Sequence, residues 1–280
     1  MDQQKLSIIS HQLEQRIKIK ALDLPMLPQV TSQVLSLVND VDSDAVALAK
    51  LIQSDQALAG HVMRIANSAA YSPNTKMTSL QQAIARLGMQ NITEIAMAAT
   101  MGPKLFSAVG YEDLVKEIWA TSLATAVWAR EIARQGRRNV ESTFLCGLLG
   151  QIGLPVVLQA VLDITEQDDI SLDRELLLAL MQQYKAEVGA VLADHWMLPV
   201  AVKDTIIGLD AEQVEASVDI VKTVKAALEF SAYTLSERQY DEAALGANSY
   251  IIDINLYAED VQQLLQKAGL VHDTISSLSL

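Results

Sequence analysis

Cysteine is almost missing from this 280-residue sequence: Cys146 stands alone, which excludes an internal disulfide and any zinc site built on thiolates. A lone thiol fits a reducing cytoplasm. Cations are also in short supply, with 21 Lys and Arg against 34 Asp and Glu and a net charge of −13. Each phosphate of a nucleic acid backbone needs a Lys or Arg to neutralise it, so nucleic acid is not an expected partner. The sequence offers no run approaching the roughly 20 apolar residues that cross a bilayer. Residues 1–20 lack the apolar centre of an export signal, so no membrane is expected and the expected location is cytoplasmic. Sustained two-residue alternation of Val, Ile and Thr is lacking, which argues against a sheet. A glycine-rich phosphate loop, an internal repeat and a low-complexity segment are missing as well.

Half of the residues are hydrophobic, and a chain of this length usually buries roughly three quarters of its unfolded surface. Apolar residues recur every three or four positions nearly throughout, which predicts an all-α fold. Leu6, Ile9, Leu13 and Ile17 mark a first amphipathic helix. Leu24-Pro25-Met26-Leu27-Pro28 is expected to end it, because proline lacks the amide donor and restricts the residue before it. Short helices follow around Val34, Ile52 and Ile65, the last capped by Asp55. Ser79 with Gln82 and Asn91 with Glu94 read as two capping boxes, with Gly88 between them as a left-handed stop. After Met101-Gly102-Pro103, the spacing of Leu114, Ile118, Val127 and Ile132 predicts one helix of about six turns. The expected division is an N-terminal helical lobe over residues 1–105 and a C-terminal helical lobe over residues 106–280. Residues 249–256 form the one strand-like stretch, and the tail after a last helix near 260–266 is expected to fray. The basic runs 16–20 and 130–138 each sit near an expected helix end, where cations complement the dipole.

Several segments together point to a family. They are Leu24-Pro25-Met26-Leu27-Pro28, Asp55-Gln56-Ala57-Leu58 running into Arg64-Ile65-Ala66-Asn67-Ser68, and Ser79-Leu80 with Ala83-Ile84 and Leu87-Gly88. Further along come Trp119-Ala120-Thr121-Ser122, Gly147-Leu148-Leu149 with Ile152-Gly153, and Trp196-Met197-Leu198-Pro199. In these segments the sequence resembles the HDOD domain proteins of bacterial signalling, degenerate relatives of the metal-dependent HD phosphohydrolases. The resemblance implies a two-lobed helical bundle whose second lobe is like the HD fold, and a regulatory or scaffolding role more often than an enzymatic one. It also implies where a metal would sit: a histidine on one helix, an adjacent His-Asp pair on the next, and a later aspartate. Carried over residue by residue, those positions are Thr121, Gly150 with Gln151, and a residue near Glu229. Two secondary histidine positions fall on Ala186 and on Leu209-Asp210. A hydroxyl, a missing side chain and a neutral amide do not supply the imidazole and carboxylate a divalent cation requires. No metal, cofactor or catalytic residue is therefore expected.

Few other side chains suggest chemistry. His272-Asp273 is the single His-Asp dipeptide, but it lies at the carboxyl terminus with no room for a downstream ligand helix. His11, His61 and His195 read as core or surface residues, and Cys146, inside the apolar run 144–149, as a buried inert thiol. Gly147, Gly150 and Gly153 read as permitting close helix packing. Asn67-Ser68 has two readings. One is a structural corner, with Asn67 left-handed and the Ser68 hydroxyl capping the next turn; the other is a binding face shared with Arg64. The function expected is a non-catalytic signal-transduction or regulatory module that binds a protein partner in a groove between helices or lobes. One alternative is a metal-dependent phosphohydrolase or nucleotide phosphodiesterase with non-standard ligands. Another is a small-molecule sensor in which Thr121, Gln151 and Glu229 hydrogen-bond a ligand without turning it over.

Overall fold

The computed structural model describes residues 2–39, 44–72, 76–102, 105–106, 108–211, 219–235 and 242–278, and every regular element among them is an α-helix. Helix α1 (Asp2–Lys18) turns Ile9, Leu13 and Ile17 inward at four-residue spacing, and all three are buried. It stops well before the prolines. Lys20 adopts φ 54°, and the Ala21 amide closes back onto the Arg16 carbonyl at 2.8 Å, so a left-handed residue ends the helix. Helices α2 (Gln29–Asn39), α3 (Ala45–Gln53) and α4 (Gln56–Ala66) lie against α5 (Leu80–Thr100). Asp44 and Asp55 cap α3 and α4 by accepting the Ala47 and Leu58 amides. Ser79 caps α5 through the Gln82 amide, but the Gln82 carboxamide accepts from Thr78 N at 2.8 Å instead of from Ser79. Gly88 kinks α5 at φ 85°, ψ 154°, a conformation open in practice to glycine alone. The second expected capping box is absent: Asn91 lies within the helix and its amide donates to the Leu87 carbonyl at 2.5 Å.

Helix α6 (Glu112–Gln135) is the predicted long helix and the hub of the fold. Against it pack α7 (Val140–Leu149), α11 (Asp219–Leu235) and the last helix, α15 (Ala268–Leu278). Trp128 is fully buried in α6. Its ring tilts against Phe230 with centroids 4.8 Å apart, and its indole N–H donates to Thr234 Oγ1 at 2.7 Å. Trp119, on another side of the same helix, is half-buried. Helices α8 (Gly153–Gln167), α9 (Arg174–His195) and α10 (Val200–Gly208) continue the bundle. The spaced glycines are where helices meet: a Cβ on Gly147 would lie 2.8 Å from Ala126 Cα, and one on Gly153 only 1.9 Å from the Lys185 carbonyl oxygen. One correction concerns hydropathy. The stretch Ser142–Gln167 is long and apolar enough, by length and composition, to cross a membrane. It is broken into α7 and α8, and 78% of its most apolar window is buried within the fold.

Residues 249–256 hold no strand. They contain the short helix α13 (Ser249–Asp253), capped by Asn248 and ended at Asn255 with φ 56°. It follows α12 (Glu242–Gly246) and precedes α14 (Ala258–Leu265). The tail does not fray over its described residues: Val271, Ile275 and Leu278 of α15 are buried. His272 and Asp273 lie on its exposed side, 3.9 Å apart. At the other end of the chain, α1 docks on α8 and α9. Gln12 bonds Asp168 there, Arg16 donates to Gln167 at 2.7 Å, and Tyr184 donates to Glu14 at 3.1 Å. One apolar core runs from Ile9 to Leu278 and joins residues on both sides of position 105.

Candidate functional site

The four positions where the resemblance would put a metal do not line one common crevice. Thr121 is half-buried on α6 and donates back to the Glu117 carbonyl at 2.9 Å. Gly150 is buried at the end of α7, where a Cβ would already lie 2.8 Å from the Cys146 carbonyl and 3.0 Å from Leu209. Gln151 faces a crevice of about 10 Å³ with Trp119, Ser122 and Phe106, room for one water. Neither Thr121 nor Glu229 is on its wall. The register of α11 explains Glu229. Thr125 meets Ser231 at 3.1 Å and Trp128 meets Thr234 at 2.7 Å, so α6 and α11 run parallel, and one turn back from Thr125 and Ser231 stand Thr121 and Ala227. Ala227 is fully buried, whereas Glu229, two residues on, is exposed. The residue facing α6 there is thus an alanine, and the sensor pocket expected from Thr121, Gln151 and Glu229 is not assembled. Among the described residues, no three His, Cys, Asp or Glu side chains are placed to hold a metal ion. The residues present do not fit the metal of the HD enzymes.

Asn67 and Ser68 also differ from expectation. Asn67 is the C-cap of α4 at φ −92°, ψ 3°, not a left-handed residue. Its side chain carries the corner instead. The amide donates to Met63 O at 3.0 Å and Met77 O at 2.9 Å, and its carbonyl accepts from Met77 N at 2.6 Å, which ties the start of α5's lead-in to the end of α4. The Ser68 hydroxyl, buried at its oxygen, has no hydrogen-bond partner among the described residues; its backbone carbonyl accepts the Tyr71 and Ser72 amides. Arg64 is exposed one turn before Asn67 and lowers the pKa of neighbouring His61, a smaller effect than the burial of that imidazole.

The chemistry that the sequence concealed is a buried ionic cluster where α5, α6 and the C-terminal helices meet. Arg130 donates through Nη1 to Glu94 Oε2 at 3.0 Å and lies 3.4 Å through Nε from Glu131 Oε1. Arg134 and Lys267 reach Glu131 at 2.6 and 3.1 Å. All of Glu94, Arg130 and Glu131 are about 95% buried or more. Tyr71 lies beside Arg130, whose guanidinium also sits 5.8 Å from the Phe144 ring centroid. Burial alone would raise Glu131, but Arg130, Arg134 and Lys267 outweigh it and hold that carboxyl below its usual range. Glu94 goes the other way: burial pushes it up, and Arg130 with the Gln90 amide offsets this only in part. Arg130 is therefore not the helix-dipole cation expected of the run 130–138. Nor is Arg138, which pairs with Asp219 at 2.7 Å and donates to Ile254 O. The available signal was local: adjacent Arg130 and Glu131 interrupt an apolar stretch between Ala129 and Ile132.

Glu94 forms the polar part of a groove of about 230 Å³ between α2, α5, α7 and α10. Leu35, Met97 and Phe144 supply apolar wall, and Gln90, Thr93, Ser142 and Cys146 are the other polar residues on it. Burial pushes the Cys146 thiol up to about 11, so it is neutral.

These features define a class: an all-helical domain built around a long central helix, with a buried ionic cluster and, among the described residues, without a metal ligand set. Within that class the chain belongs to the HDOD domain family, whose model matches residues 24–208. It is 26% identical over 192 residues to an uncharacterised protein of Treponema pallidum, covering 66% of this chain but only 37% of that protein's length. An HDOD domain protein from Geobacter sulfurreducens superposes with a TM-score of 0.73 at 23% identity, over 95% of this chain and 99% of its own. A Shewanella amazonensis protein provisionally described as a metal-dependent phosphohydrolase gives 0.71 at 21%, over 99% and 98%. A Marinobacter aquaeolei protein provisionally described as a signal transduction protein gives 0.69 at 20%, over 98% of this chain and 66% of that one. At such identities these structures speak for the shared fold.

Proposed function

We propose that this chain is a non-catalytic signal-transduction module that works by binding a protein partner in a bacterial cytoplasm, with residues 1–105 and 106–280 as its two lobes. The observation that carries the reading is the chemistry at the ligand positions. Water activation needs several coordinating side chains that hold the ion and leave one position open. Thr121 spends its hydroxyl on its own helix, Gly150 has no side chain, and Gln151 offers a neutral amide beside an apolar crevice. The helix face opposite Thr121 carries Ala227 where a carboxylate would be needed. The alternative, a metal-dependent phosphohydrolase or nucleotide phosphodiesterase with non-standard ligands, draws on the description given to the Shewanella protein.

Elemental analysis of protein purified without chelator or metal resin separates the two, together with phosphodiesterase assays in Mn²⁺, Mg²⁺ or Fe²⁺. The expected result is less than stoichiometric metal and no turnover above buffer. Stoichiometric tightly held metal, or turnover abolished by Gln151→Ala, would overturn the non-catalytic reading.

A further inference from the structure

We infer that the groove between α2, α5, α7 and α10 is a binding site for a small, mainly apolar molecule that presents one neutral hydrogen-bond donor to the Glu94 carboxylate. This inference stands apart from the protein-partner reading and from the Thr121 and Gln151 positions, which lie elsewhere.

Size comes first. An apolar cavity of about 150 Å³ takes a benzene ring, and this groove holds about 230 Å³. At ~30 Å³ each, roughly eight waters would fill it, and a mostly apolar wall gives them few partners. An apolar body that displaces them gains burial and loses little hydrogen bonding.

Polarity fixes the head group. Glu94 Oε1 accepts from Gln90 Nε2 and Oε2 from Arg130 Nη1, each at 3.0 Å. Each carboxylate oxygen has two acceptor directions, so each keeps one beyond these bonds. Glu94 also shares Arg130 with Glu131. A further donor would therefore stabilise a carboxylate that burial makes costly. The donor is neutral because the surrounding cluster already holds three cations, Arg130, Arg134 and Lys267, against the two anions Glu94 and Glu131. A cationic head would meet net positive charge. The neutral Cys146 thiol does nothing to change that balance.

Met89 and Met97 line the groove and supply the readout, two of nine methionines in the chain. The full chain carrying ¹³C-methyl methionine is titrated with benzyl alcohol, with benzyl methyl ether, which keeps the body and loses the donor, and with benzylammonium. The two resonances are assigned through Met89→Leu and Met97→Leu. Benzyl alcohol should shift both saturably and bind about tenfold more tightly than the ether, the usual worth of a hydrogen bond to a charged group. Benzylammonium should bind more weakly than the alcohol. Ala201→Phe, at a half-buried position on the groove wall, should abolish the shifts while the helical circular dichroism spectrum is kept. No saturable shift at either methyl, equal affinity for alcohol and ether, tighter binding of benzylammonium, or binding that survives in folded Ala201→Phe would each overturn the inference.

Discussion

Asn67 shows how one side chain can do the work that its backbone was expected to do. With φ at −92° it has no left-handed strain to relieve, so a β-branched replacement meets only the cost of the bridge region it would occupy. What Asn67→Val removes is three hydrogen bonds to Met63 and Met77, and it leaves those backbone groups to find other partners in a half-buried corner. At about 1 kcal/mol net for each bond, a loss of about 2 to 3 kcal/mol in chemical denaturation is expected. Asn67→Asp keeps the acceptor for Met77 N but turns a carboxylate oxygen toward the Met63 and Met77 carbonyls, so it should cost at least as much; a clearly smaller loss for Asn67→Asp would contradict this account. Cys146 gives a second test, on the alkaline side. Its thiol is pushed from 9.0 to about 11 by burial, so as pH rises the unfolded chain ionises first and binds fewer protons than the folded one. Stability contributed by this group is intact below pH 9 and falls as pH rises from 9 toward 11, at about 1.4 kcal/mol per unit. At pH 10.5 the wild type should have lost about 2 kcal/mol more, relative to pH 8.5, than Cys146→Ala, measured by urea denaturation at each pH.

Glycines separate the elements that need a missing side chain from those that merely tolerate it. Gly60 is exposed within α4 and has no atom of the described residues within 4 Å of where a Cβ would lie. Gly60→Ala should therefore stabilise by about 0.5 to 1 kcal/mol through helix propensity alone. Gly153 sits at the crossing of α8 and α9, where a Cβ would be 1.9 Å from a carbonyl oxygen of Lys185. Gly153→Ala has to push two helices apart, and a loss of about 3 kcal/mol or more in thermal or urea unfolding is expected. The same contrast marks what the sequence made legible. Helix-period apolar spacing and small residues at crossings are local patterns, and α6, the spaced glycines and the kink at Gly88 follow from them. Other features had no local signature. Lys20 and Asn255 take positive φ without being glycine. α13 has only five residues, too few to show a period, so Ile251 and Ile252 looked strand-like. Asn91 and Glu94 have capping-box spacing, but Glu94 is claimed by Arg130, 36 positions away, and no local rule encodes that distance. The candidate site was hidden for the same reason: its groove is made by four helices that are far apart in the chain.

At the scale of the whole molecule, the family match and the folding unit do not coincide. The HDOD model spans residues 24–208, but the core continues on both sides of it. Helix α11 covers Trp128 with Phe230 and closes the buried hydroxyl contact between Thr125 and Ser231. Lys267 completes the shell of cations around Glu131, and Val271, Ile275 and Leu278 bury one side of α15. At the other end, α1 buries Ile9, Leu13 and Ile17 where it docks on α8 and α9. A polypeptide cut to residues 24–208 would expose Trp128 and leave Glu131 without Lys267, while losing each of these apolar faces. Fully burying a large apolar side chain is worth about 1.5 to 3 kcal/mol, and the whole stability of a domain is about 5 to 15 kcal/mol, so losing these seven residues and exposing Trp128 removes more than the fold has to spare. The 24–208 fragment should therefore keep far-ultraviolet helical signal, lose the near-ultraviolet signal of Trp128, bind anilinonaphthalene sulfonate and melt without a cooperative transition, whereas the full chain melts in one step. A cooperative melt of the fragment within a few degrees of the full chain would instead make the terminal helices accessory, and would confine the folding unit to the matched family span.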